Sequence, residues 1–115
     1  MSVTIYHNPR CSKSRQTLQL LNEKDIELEI VEYLHTPPSV EELKLTLETL
    51  GMGPRDLMRK GEPAYTEAGL DDDSLSDEQL IDAMLAHPIL IERPIVLANG
   101  KARIGRPPES VLEIL

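Results

Sequence analysis

Apolar and polar residues alternate over Val3-Thr4-Ile5-Tyr6, the two-residue period of a strand with one covered face. Asn8-Pro9 breaks that run. From Ser12 the spacing turns helical, with Thr17, Leu18, Leu21 and Asn22 on one face, and the helix runs to about Lys24. Leu28 to Tyr33 alternates again, with Leu28 and Ile30 on one side and Glu27 and Glu29 on the other. Strand, helix and strand in so short a span form a βαβ unit, which predicts parallel strands and a right-handed crossover.

The middle of the chain is helical. Pro37-Pro38 excludes helix before Ser39, and Ser39-Val40-Glu41-Glu42 has the spacing of a capping box. Val40, Leu43, Leu47 and Leu50 follow at helical intervals, and Gly51 offers a stop. Pro54 can open a short second helix through Leu57 and Met58. Residues 60–78 are acidic and mixed, with Asp71-Asp72-Asp73 read as a solvated turn. Ser76-Asp77-Glu78-Gln79 is a second capping box, heading a helix that turns Leu80, Ile81, Met84 and Leu85 inward and ends at His87-Pro88.

The tail returns to β structure. Pro94-Ile95-Val96-Leu97 and Ala102-Arg103-Ile104 flank Asn99-Gly100, a strong hairpin signal, and Gly105-Arg106-Pro107-Pro108 leads into a last short helix with Val111, Leu112 and Ile114. The order βαβ, helices, ββα, without repeat or linker, predicts one α/β domain over residues 1–115.

Composition narrows the function. Three Tyr, no Phe and no Trp leave an aliphatic core and no aromatic platform for stacking nucleic acid bases. Twelve basic against 20 acidic residues give a net charge of −8, which argues against nucleic acid and anionic membranes as partners. Any bound anion must meet positive charge focused locally. A single cysteine rules out an internal disulfide, and no run resembles a signal peptide or a membrane span, so the expected location is the cytoplasm.

That cysteine is the main chemical candidate. Cys11 follows a strand and a Pro-containing turn and stands just before a helix, where unpaired N–H groups and the helix dipole favour a thiolate. Arg10, Lys13 and Arg15 add positive charge. The alternative, a small buried hydrophobe, fits poorly with the polar run Asn8-Pro9-Arg10-Cys11-Ser12-Lys13-Ser14. Spacing removes several rivals. A phosphatase-type Cys-x5-Arg loop finds Thr17, and a dithiol Cys-x-x-Cys finds Ser14. One cysteine and three scattered histidines argue against zinc, and no Gly-rich nucleotide loop is present.

Arg93 and Arg106 border Pro-bearing turns, where guanidinium forks could converge on a tetrahedral oxyanion, although each alone could be a solvated surface arginine. Arg59 ends the middle helical region. His7, four residues before Cys11, either tunes the thiolate or caps its own loop. His35 and His87 read as structural.

Ile5-Tyr6-His7-Asn8-Pro9-Arg10-Cys11-Ser12-Lys13-Ser14-Arg15, with Leu57-Met58-Arg59-Lys60, the segment from His87 to Ile95 and Gly105-Arg106-Pro107, resembles the glutaredoxin-coupled, glutathione-dependent arsenate reductase family. The likeness runs from residue 3 to residue 115 in order. It implies a thioredoxin-like mixed sheet with a helical insertion after the first βαβ unit, and a cis peptide before Pro94 facing the Cys11 loop. Cys11 would be the nucleophile forming a covalent arsenate adduct, assisted by His7 as the second candidate catalytic residue. Arg59, Arg93 and Arg106 would hold the oxyanion. Arg10 and Lys13 stand where some members have small residues, and longer members carry a C-terminal extension. The implied reaction reduces arsenate to arsenite, with glutathione as co-substrate, glutaredoxin as partner, no metal, no tightly bound cofactor and a monomeric protein. Two other readings share the fold: a regulator of the Spx type that binds RNA polymerase, and a monothiol glutathione-dependent oxidoreductase with another substrate.

Overall fold

The computed structural model describes residues 2–115, with Ser2 described in its backbone alone. Met1, part of the N-terminal stretch read above for a leader, lies outside the described residues. The described residues form two compact units, one of residues 2–36 with Arg93–Leu115 and the other of Pro37–Glu92.

The first unit contains β1 (Ser2–Tyr6), α1 (Ser12–Asn22), β2 (Glu27–Val31), β3 (Ile95–Ala98), β4 (Lys101–Ile104) and a terminal 3₁₀ helix (Pro108–Ile114). The sheet order is β2-β1-β3-β4. β1 and β2 are parallel, with Val3 opposite Leu28 and Ile5 opposite Ile30, while β3 runs antiparallel to both β1 and β4. The βαβ start is what the hydrophobic pattern predicts, and the mixed sheet is what the family resemblance implies. Asn99 and Gly100 both have positive φ, 55° and 71°, as a two-residue hairpin turn requires.

One face of the sheet carries the core of this unit. Val3, Ile5, Val96 and Ala98 pack with Leu21 of α1 and with Val111 and Ile114. The inward stripe of α1 is Ser14, Thr17 and Leu21, so it begins a turn earlier than its apolar residues suggest, and Asn22 faces solvent. The last helix is 3₁₀ rather than α. Its three-residue period buries Pro108, Val111 and Ile114 and leaves Leu112 outward. Ile30, on the same side of β2 as Leu28, is 49% exposed, and β2 is an edge strand.

The second unit contains α2 (Val40–Leu50), α3 (Pro54–Leu57), α4 (Pro63–Glu67), α5 (Asp77–Ala86) and a 3₁₀ turn (Pro88–Leu90). Both expected capping boxes form. Ser39 Oγ accepts from the Glu42 N–H at 3.1 Å, and Ser76 Oγ accepts from the Gln79 N–H at 3.2 Å. Gly51 ends α2 with φ 70°, a left-handed conformation that favours glycine. α4 has no apolar stripe to announce it; Pro63 starts it and it buries Tyr65. Arg55 donates to Tyr65 Oη at 2.7 Å and to the carbonyls of Leu70 and Asp72 at 2.6 and 2.9 Å, which holds the approach to the Asp71-Asp72-Asp73 turn. Among the described residues, no helix is long and apolar enough to cross a membrane.

Candidate active site

Register alone gathers three segments. Tyr6 pairs with Val31 and Ile95, and Ile95 pairs with Ile104. The chain after β1, the chain before β3 and the chain after β4 therefore leave the sheet at the same end. Those segments carry Cys11, Arg93 and Arg106.

Cys11 is the N-cap of α1, in an extended conformation that ends the loop and lets Ser12 start the helix. Its N–H donates to Asn8 O and its carbonyl accepts from the Arg15 N–H, both at 3.0 Å. The partly buried sulfur receives Arg106 Nη2 at 3.6 Å. Burial pushes the thiol pKa up. The Ser14 backbone N–H, the Arg93 guanidinium and the Lys13 backbone N–H outweigh that cost, and the net shift is below the ordinary thiol value. These donors favour the thiolate over the thiol.

The arginines are aimed by their own backbones. Arg106 Nε donates to the Arg93 carbonyl at 2.8 Å, which fixes the guanidinium plane and leaves Nη2 on the sulfur. Each arginine directly precedes a cis proline, Pro94 and Pro107; the first matches expectation and the second adds to it. Gly105 makes the close approach possible. A Cβ there would stand 2.5 Å from Thr17 Oγ1 and 2.8 Å from Pro94 Cγ, so any larger residue would force the Arg106 turn away from α1.

His7 is buried, and its backbone N–H donates to Val31 O at 2.8 Å. Its Nδ1 lies 2.6 Å from Ser14 Oγ, which also accepts from the Asn8 N–H at 3.0 Å. Burial lowers the imidazole pKa, Glu32 raises it and Arg15 lowers it, for a net shift downward that favours the neutral ring. Ser14 thus links the two ends of the loop. Its side chain holds His7 and Asn8 while its backbone N–H favours the thiolate.

Charge is divided between the units. The first has eight Lys and Arg against seven Asp and Glu, whereas the second has four against thirteen. The locally focused positive charge that the net −8 demands therefore lies in the unit holding the thiol.

A profile of the ArsC family matches residues 6–114. The chain belongs to the ArsC family. A curated relative from Neisseria meningitidis serogroup A, an arsenate reductase, is 50% identical over 114 residues, spanning 98% of this chain and 97% of that one. The uncharacterized protein YfgD of Escherichia coli K12 is 60% identical over 98% of this chain and 96% of its own. The solved arsenate reductase of Vibrio cholerae superposes with a TM-score of 0.96 at 58% identity, covering 100% of this chain and 98% of that one. The fold of this ArsC chain is accordingly thioredoxin-like, with residues 37–92 inserted between β2 and β3.

The structure brings Cys11, Arg93 and Arg106 into direct contact and joins His7 to them through Ser14. Arg59 belongs to the second unit. Its Nη1 lies 2.8 Å from Glu92 Oε1 and its Nε lies 3.3 Å from Glu62 Oε1. Ser14 and Asn8 stand in the polar run around Cys11, but no motif in the sequence marks either as a site candidate. A signal of burial exists for Ser14: it lies three residues before Thr17 on the same helical face, a polar residue on a stripe that must be buried. Among the described residues, no group of three or more His, Cys, Asp or Glu could hold a metal ion.

Proposed function

We propose that residues 1–115 form one thioredoxin-like domain that reduces arsenate to arsenite through a covalent Cys11–arsenate adduct. The enzyme class is supported by full-length relatives that are arsenate reductases at about half identity. The observation that carries the reading is the pair of guanidiniums on the sulfur of the N-cap residue of α1, Arg93 favouring the thiolate and Arg106 at 3.6 Å.

The sulfur attacks arsenic and an arsenate oxygen leaves as water, forming a thiol ester of As(V). Arg93 and Arg106 balance the oxyanion, as donors that match its developing charge, and Arg59 supplies a third guanidinium. His7 is a positioning residue: neutral and bonded to Ser14, it holds the turn whose N–H groups face the sulfur.

Reduction needs two electrons and the chain has one thiol. Glutathione thiolate attacks the Cys11 sulfur of the adduct, an S–S bond forms, and the S–As electron pair leaves with arsenic as As(III). Glutaredoxin and glutathione then reduce the mixed disulfide. The reaction uses no metal and no resident cofactor, and the protein acts as a cytoplasmic monomer.

The test is arsenate-dependent oxidation of NADPH coupled through glutathione, glutaredoxin and glutathione reductase. Turnover that requires arsenate, glutathione and Cys11 supports the reading. NADPH oxidation indifferent to arsenate overturns it in favour of a general monothiol oxidoreductase.

A further inference from the structure

Arg59 is held by two carboxylates through different edges of its guanidinium. Nη1 meets Glu92 at 2.8 Å, a short charge-assisted contact, while Nε meets Glu62 at 3.3 Å. The three side chains are only 25%, 26% and 23% exposed for Arg59, Glu92 and Glu62, so water screens them only in part. Backbone fixes the frame. The Arg59 N–H donates to Leu90 O at 2.7 Å, the Glu92 N–H donates to Leu57 O at 2.9 Å, and Met58 forms an antiparallel bridge with Ile91. The Glu62 N–H closes a turn onto Arg59 O at 3.1 Å.

A guanidinium offers a tetrahedral oxyanion two parallel N–H bonds along one edge. The edge formed by Nε and Nη2 is the one that the short Glu92 contact leaves alone, and Glu62 sits on it. We infer that Glu62 is an internal competitor for Arg59, displaced by the incoming oxyanion, and that Glu92 is a positioning residue that keeps the guanidinium plane fixed during the exchange. This rests on the reading that Arg59 contacts the oxyanion. Oxyanion affinity at Arg59 is then set below what the bare guanidinium would give, by a carboxylate that must first let go.

The experiment uses the full chain and inorganic phosphate, an unreactive tetrahedral probe, with binding read by calorimetry. Glu62→Gln keeps the shape and removes the competing charge, and phosphate binding should tighten about two- to fivefold, the scale of a partly exposed ion pair. The gain should vanish in Arg59→Ala/Glu62→Gln. Glu67→Gln, which removes the same charge from exposed α4, should not reproduce it. Glu92→Gln should lower kcat for arsenate with little tightening of phosphate. Unchanged or weaker phosphate binding in Glu62→Gln, or tightening that persists without Arg59, overturns the inference. If Arg59→Ala alone leaves phosphate binding untouched, the assignment of Arg59 to the oxyanion falls with it, while the Cys11, Arg93 and Arg106 arrangement stands on its own contacts.

Discussion

Arg106 Nη2 points at Cys11 Sγ from 3.6 Å while its Nε is held by the carbonyl of Arg93. One guanidinium is thereby braced by the backbone of a second arginine whose own side chain favours the same thiolate. The pair behaves as one unit of charge placement, and its consequences can be measured.

The Cys11 thiol should titrate below the free value of about 8.5, since helix N–H groups and Arg93 outweigh the burial cost. Above its folded-state pKa the thiolate is fully formed; as pH falls through that pKa, alkylation and arsenate turnover should fall together. Iodoacetamide rate against pH reads the midpoint. Arg93→Ala should move it upward, and a midpoint at or above the free value would remove the activated thiol.

Arg93→Ala and Arg106→Ala should each lower kcat/KM by roughly a hundredfold or more, as the loss of an oxyanion donor costs about 2–4 kcal/mol. Lysine should rescue poorly, because it lacks the planar fork. Arg103→Ala is the control. Arg103 donates to its neighbour's carbonyl at Ala102 and pairs with Glu113 at 3.3 Å, half exposed, and steady-state kinetics should change little. Equal small effects at all three positions would mean that no oxyanion pocket exists.

Sustained arsenate reduction should need added glutathione and glutaredoxin, and thioredoxin should replace them poorly. With Cys11 the only thiol, enzyme alone should consume no more than one arsenate per chain in a single-turnover experiment. Multiple turnovers without an external thiol would contradict the one-sulfur chemistry.

Ser14→Ala should cost about 1–3 kcal/mol, because it strips a partner from the buried His7 ring and from the Asn8 N–H. Thermal unfolding reads that loss. The pH sign follows from the downshifted His7. Its contribution to stability is complete above the ordinary value of 6.5 and is lost as pH falls through the folded-state pKa, as the unfolded chain takes up a proton that the fold resists. The wild-type Tm should therefore drop on acidification, and His7→Gln should flatten part of that slope.

Local chemistry is written in short stretches of this chain. The alternation in β1, both S-x-x-E/Q boxes, the Asn99-Gly100 hairpin and the helix opening behind Cys11 need only neighbours a few residues apart, so the sequence alone determines them. Cys11 as an activated thiol follows from that same local placement. Other features depend on partners far along the chain. Ser14 is buried because α1 packs on the sheet, and Leu112 is outward because the last helix is 3₁₀ with a period of three. Arg106 reaches Cys11 across 95 positions because sheet register brings three connecting segments to one end of the sheet, with Gly105 small enough to let the turn close. Which arginine meets the sulfur and which meets a carboxylate was decided by tertiary structure alone, since charge on a side chain carries no direction until the backbone beneath it is fixed.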